Sequence, residues 1–141
     1  GMGLVSQVFD ENDLPFLPGF VAIGHTRYST TGSTRIENAQ PVYVEGEHGP
    51  VAVGHNGNLI NAEVLRNDLE AYGYAFNSST DTEVVAQMLA SAPGADWQER
   101  VTTVMRAIQG AYCLIALTPN ELIAMRDPYG VRPLCLGKLN E

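Results

Sequence analysis

Positive charge is scarce in this sequence: lysine occurs once, at Lys138, and eight Lys and Arg residues face sixteen Asp and Glu, a formal net charge of −8. A nucleic-acid footprint needs a basic stripe, or basic residues interleaved with aromatics. Neither occurs, which excludes nucleic acid and anionic membrane surfaces as partners. Cysteine is nearly absent as well. The only two, Cys113 and Cys135, are spaced as neither a zinc ribbon nor a redox pair. Such sparse use suits a reducing cytosol better than a disulfide framework, so a cytoplasmic setting is expected. Cys113 lies in the apolar run Ala111–Leu117 and reads as a buried, inert thiol. Long hydrophobic runs are missing: nothing approaches the roughly 20 apolar residues that span a bilayer. The start Gly1-Met2-Gly3 has no basic stretch leading into an apolar one, so no export signal is read. Low-complexity tracts, long linkers and repeats are lacking too, leaving one domain over residues 1–141.

What is present is an alternation of short apolar runs and helical patterns. Val21–Tyr28 and Val51–His55 read as strands, each an apolar, β-rich run that ends in a polar, Gly-containing loop. Asn61–Tyr72 reads as a helix with Ala62, Leu65, Leu69 and Tyr72 on one face and Gly73 as its stop. A second helix is expected over Thr80–Ala92, with Val84, Val85, Met88 and Leu89 inward and Pro93-Gly94 ending it. A third, capped by Asp96, carries Trp97, Val101, Val104, Met105 and Ile108 on its buried stripe. Ala111–Leu117 and Glu121–Met125 read as strands joined by a turn at Thr118-Pro119-Asn120, and Leu134–Gly137 as a last strand beyond the Pro128-Tyr129-Gly130 turn. The unbroken apolar character of Ala111–Leu117 predicts a central strand covered on both faces, in a layered α+β domain.

Several polar residues invite chemistry, each beside a plainer reading. Arg27 could meet a carboxylate bidentately, or be a solvated arginine at a strand end. Asp81 could meet an ammonium group, but Thr80 to Glu83 also fits a capping box, and the helix dipole favours an acid there without any ligand. Asn56-Gly57 could supply a side-chain amide and a backbone N–H to an oxyanion, or be a hairpin turn. His25 and His55 lack a third metal ligand at a convincing spacing and read as hydrogen-bonded histidines near strand ends. The Ser29–Arg35 loop has no phosphate-binding Gly-x-x-x-x-Gly-Lys frame and reads as a polar loop over the site. Arg126–Leu134 reads as strand–turn–strand with an internal ion pair.

Together, Gly24-His25-Thr26-Arg27-Tyr28-Ser29-Thr30, Gly54-His55-Asn56-Gly57-Asn58 and Ser79-Thr80-Asp81-Thr82-Glu83 resemble the glutamine-binding and oxyanion motifs of the class II glutamine amidotransferases. Tyr28-Ser29-Thr30-Thr31-Gly32 and Glu37-Asn38-Ala39-Gln40-Pro41, with Gly1–Val5 and Arg126–Leu134, are similar to its amidophosphoribosyltransferase branch. The glucosamine-6-phosphate synthase branch typically has Trp-Ala-Thr-His-Gly instead. The resemblance spans nearly all of the chain.

It implies an N-terminal-nucleophile fold, the αββα four-layer sandwich, and a glutaminase whose ammonia reacts with phosphoribosyl pyrophosphate (PRPP) to form phosphoribosylamine in the first committed step of purine synthesis. By the same resemblance Arg27 and Asp81 hold L-glutamine, Thr30 lines the pocket, and Asn56 and Gly57 form the oxyanion hole. The family's nucleophile is an N-terminal cysteine whose own α-amino group is the base. The sequence opens without that cysteine and closes without the phosphoribosyltransferase domain, where Mg2+ is expected with PRPP. The expectation is thus a piece of the glutaminase domain. It would be an incomplete sandwich without the nucleophile strand, inactive alone and with no cofactor of its own. Its uncovered apolar surface and sheet edge would favour self-association. Two other readings stay open: another class II amidotransferase, or a non-catalytic glutamine-binding or interaction module.

Overall fold

The computed structural model describes residues 1–27 and 35–139. Its centre is a four-stranded antiparallel sheet in the order β1-β2-β3-β4, with β1 at Val42–Gly46, β2 at Gly49–Leu59, β3 at Gly110–Leu117 and β4 at Leu122–Arg126. The strand β1 was not anticipated, although Val42-Tyr43-Val44-Glu45 alternates apolar and polar as a half-buried strand should. It pairs from Val42↔Val53 to Gly46↔Gly49, closing a hairpin over Glu47-His48.

Burial along the strands follows the pleat. Val51, Val53, His55 and Leu59 of β2 and Tyr112, Leu114 and Ala116 of β3 are buried on one face. The helix α3 (Asp81–Ser91) covers that face with Val85, Ala86, Leu89 and Ala90. Contact is close enough that a Cβ on Gly46 would stand 2.5 Å from the Ala90 carbonyl oxygen. The helix α4 (Trp97–Ala107) adds Trp97, Val104 and then Ile108 to the same core. Its predicted cap holds, with the Glu99 N–H donating to Asp96 Oδ1 at 2.9 Å. The helix α2 (Ala62–Ala71) is more peripheral: Leu65 is partly buried and Tyr72, expected on the inner stripe, is 84% exposed. Asn61 ties its start to the segment between α4 and β3, donating to the Ala107 carbonyl and accepting from the Gln109 N–H, both at 2.9 Å. The N-terminal segment holds one short helix, α1 (Val5–Val8), and a 3-10 turn at Leu14–Phe16.

Three expectations about strands are corrected. The run Ala111–Leu117 is central, between β2 and β4, but covered on one face only. Ile115 on the other face is 38% exposed and Cys113 is half-buried, because the described residues form one sheet with helices on one side. Residues 21–27 join no strand. Beyond its pairing with β1, the edge of β2 is met by side chains of Gln40 and Asp81. Leu134–Gly137 also joins no strand, and Leu136 is fully exposed. Of the two readings left open for Asn56-Gly57, the hairpin turn does not hold: both residues continue β2, opposite Cys113 and Tyr112 of β3.

Candidate functional site

Pairing between β1 and β2 ends at Val42↔Val53, so among the described residues the last six of β2 have a strand neighbour on the β3 side alone. Their outward N–H groups must find other acceptors or stay available. His55 N–H donates to Gln40 Oε1 at 2.7 Å, and Leu59 N–H donates to Asp81 Oδ2 at 3.0 Å. Backbone amides alternate in direction along an antiparallel strand, so the Gly57 N–H lies on this same edge, between those two. Among the described residues no side chain accepts from it. Gly57 has φ +154, and a Cβ there would collide with the Ala111 carbonyl oxygen and stand 2.8 Å from His55 Nε2. Only glycine fits.

An open cleft of about 970 Å³ runs along this edge. Arg27, Asn56, Gly57 and Asp81 all line it, as do Arg66 and Arg132. The sequence-predicted residues are thus brought together, except Thr30, which with most of the Ser29–Arg35 loop lies outside the described residues. Asn56 sits at an even position of β2, on the exposed sheet face. Asp81 rises from the helical side. The cleft is therefore flanked by one polar group from each face.

Asp81 opens α3, directly after the N-cap. The Thr80 hydroxyl accepts from the Glu83 N–H at 3.3 Å, the expected half of a capping box. The other half is replaced. Glu83 is buried and turns its carboxylate to the N–H groups of Asn77 and Ser78, at 2.8 and 2.7 Å, and to Ser78 Oγ at 2.6 Å. Asn38 accepts from Ser79 N–H at 3.3 Å, tying the 3-10 turn Ile36–Asn38 to the start of α3. Arg66 of α2 donates to the Thr80 carbonyl at 2.9 Å and lies over the Phe76 ring at 4.0 Å. The carboxylate of Asp81 is thereby carried on a fixed helix start.

His55 lies beneath it. Its ring is buried, with Nδ1 3.3 Å from Asp81 Oδ1, and Nε2 has no partner among the described residues. Burial works to raise the Asp81 pKa, but the hydrogen bond and charge of His55, with the N–H groups of Leu59 and Thr82, hold it below the usual carboxylate range. His25 is held low by its own burial, then by repulsion from His55 and Arg27. Among the described residues no three His, Cys, Asp or Glu side chains converge as a metal site.

Arg132 reaches the cleft through a loop organised by Asp127. Asp127 is 3% exposed and accepts from the N–H groups of Tyr112, Tyr129 and Val131 at 3.0 to 3.3 Å. Burial pushes its pKa up, and these backbone donors outweigh that and lower it. The expected internal ion pair is replaced, because Arg126 donates to the carbonyls of Gly130 and Arg132. The sequence does not show Asn38 as a brace of the α3 start, Gln40 as a brace of the β2 edge, or His55 as the neighbour of Asp81. Their spacing from it, 43, 41 and 26 residues, gave no local signal.

Residues 25–141 match the family described as a glutamine amidotransferase domain. The chain is 51% identical over 140 residues to an amidophosphoribosyltransferase of Synechococcus elongatus, covering 98% of this chain and 28% of that protein. It is 47% identical to a chloroplastic amidophosphoribosyltransferase of Arabidopsis thaliana, over 98% of this chain and 25% of that one. The Homo sapiens amidophosphoribosyltransferase is 44% identical, with 99% and 28% covered. Among solved structures, glutamine PRPP amidotransferase from B. subtilis, complexed with ADP and GMP, superposes with a TM-score of 0.74 at 35% identity, covering 83% of this chain and 25% of that one. The chain thus spans under a third of the length of these relatives.

Proposed function

Because the chain belongs to the glutamine amidotransferase domain family, we propose that it is the glutamine-binding part of an amidophosphoribosyltransferase, and that the cleft beside β2 is its glutaminase site. Arg27 meets the α-carboxylate of L-glutamine with its planar fork, and Asp81 meets the α-ammonium group. The side-chain carboxamide then lies along the β2 edge with its oxygen toward the Gly57 N–H and the Asn56 side-chain amide. Attack on that carbonyl moves its electron pair onto oxygen, where these two donors stabilise the developing charge. The tetrahedral intermediate collapses with loss of ammonia, and water cleaves the acyl intermediate to glutamate.

The attacking thiolate in this reading is the family's N-terminal cysteine, outside these 141 residues. Cys113 is a poor substitute. Burial pushes its thiol pKa up, and the opposing effect of Arg126 is smaller. The observation that carries the reading is the Gly57 N–H: an outward strand amide without a side-chain acceptor among the described residues, at a position too tight for any side chain, between the two residues assigned to the amide and the ammonium.

The ammonia acceptor would be PRPP, bound with Mg2+ in a phosphoribosyltransferase domain that accounts for part of the relatives' remaining length. A reducing aqueous compartment fits the two free cysteines. Among the described residues no helix is long and apolar enough to cross a membrane. Self-association of the isolated chain is also proposed, through the exposed Leu14, Phe16, Phe20 and Ile115. Light scattering that gives a monomer at high concentration would remove that part alone.

The test of the main reading is glutamate release from L-glutamine by a form of the protein extended to the family's N-terminal cysteine. The reading expects turnover that is lost with Asn56→Ala and unchanged with Cys113→Ser. Turnover that survives Asn56→Ala at full rate would overturn it.

A further inference from the structure

Asp81 receives N–H donors from Leu59 and from Thr82, which already satisfy a carboxylate at a helix start. An aliphatic residue would fill this inward position of β2 as Val51 and Val53 do, without a buried polar atom. Instead an imidazole stands there with its side chain 1% exposed, Nδ1 3.3 Å from Asp81 Oδ1, and Nε2 unpartnered among the described residues. Among the described residues nothing offsets the burial of that polar atom, which is unfavourable without a partner. Its side-chain contact is a carboxylate that is 22% exposed and opens on the cleft.

We propose that His55 is a positioning residue for ammonium recognition: Nδ1–H donates to Asp81 Oδ1 from beneath and fixes the carboxylate in the rotamer that presents it to a ligand's α-ammonium group. With Leu59 N–H holding Oδ2, both oxygens are anchored from the protein side, and the carboxylate lines the cleft. A carboxylate so held loses little freedom when it binds, which favours ligands that carry a cation at that place. The ring also occupies the space above Gly57, 2.8 Å from where a Cβ would stand, so the same imidazole backs the ammonium site and the proposed oxyanion site. The proposal rests on the reading of the cleft as a glutamine site.

The test compares two ligands by calorimetric or NMR titration of this chain: L-glutamine and 4-carbamoylbutanoate, which is glutamine without its α-amino group. The wild type is expected to prefer L-glutamine. His55→Leu should weaken L-glutamine binding roughly tenfold, about the worth of one hydrogen bond to a charged group, and leave 4-carbamoylbutanoate unchanged. His55→Asn, which restores a donor near the Nδ1 position, should recover most of the loss. In an Asp81→Asn background, His55→Leu should add nothing. Equal losses for both ligands, or additive losses in the double variant, would overturn the positioning role while leaving the glutamine site intact. A wild type that binds neither ligand, or both equally, would overturn the glutamine reading and this proposal with it.

Discussion

His55 Nδ1 stands 3.3 Å from Asp81 Oδ1, joining a buried strand residue to the first residue of a helix 26 positions later. The pair fixes where the helix start meets the open edge of β2, and the proposed ligand contacts are arranged around it. Arg27 comes from the segment before β1 and lines the same cleft. Replacing it by Ala should cost about 2–3 kcal/mol in glutamine affinity, or roughly a hundredfold in Kd, the worth of charge-assisted hydrogen bonds to one carboxylate. Arg27→Lys should recover only part, since an ammonium cannot form the fork. Titration of both variants checks this; an unchanged Kd for Arg27→Ala would remove the carboxylate contact.

Gly57→Ala should destabilise the chain by about 2–3 kcal/mol, because the new Cβ meets the Ala111 carbonyl and the His55 ring and forces the strand apart. Urea unfolding measures it. A neutral effect would mean that the strand edge has room that the structure does not show.

Within α3 two substitutions should separate core from cap. Leu89→Ala removes a side chain that is 0% exposed and should cost about 3 kcal/mol, whereas Thr80→Ala removes one cap hydrogen bond and should cost about 1 kcal/mol. Equal costs would count against the packing described for this helix.

Stability should fall with acid in two stages. His25 has a lowered folded pKa, so below about pH 6.5 the unfolded chain takes up a proton that the folded chain resists, and stability declines gently through that window. Asp81 and Asp127 also have lowered folded values. Their contribution is fully present above the unfolded value of about 3.9 and is lost as pH falls below it. Thermal unfolding against pH should show a shallow slope and then a steep one, and His25→Gln should flatten the shallow part alone.

Much of this was legible in the sequence where one local rule decided the outcome. Asp96 and Thr80 cap their helices as expected, and Pro93-Gly94 ends α3, because caps and breakers act within a few residues. Ala111–Leu117 was legible as a central strand but not as a one-sided one, since periodicity does not say how many layers a sheet has. Asn56-Gly57 is a hairpin signal that pairing with β3 overrides. Val21–Tyr28 has strand composition, but residues 21–27 join no strand among the described residues, and Tyr28 lies outside them. At the site, the motif residues could be named from sequence, but the bracing by Gln40, Asn38 and His55 could not. Each braces a residue or backbone group at least fifteen positions away, and only the fold brings them together.

The most direct measurement is a backbone and arginine side-chain NMR titration of the 15N-labelled chain with L-glutamine. The account predicts that the Gly57 amide, the Arg27 Nε–H and the amides at the start of α3 shift together along one binding curve. Shifts confined to other parts of the surface, or a Gly57 amide that does not move when the ligand saturates, would contradict the placement of the glutamine amide at the open edge of β2.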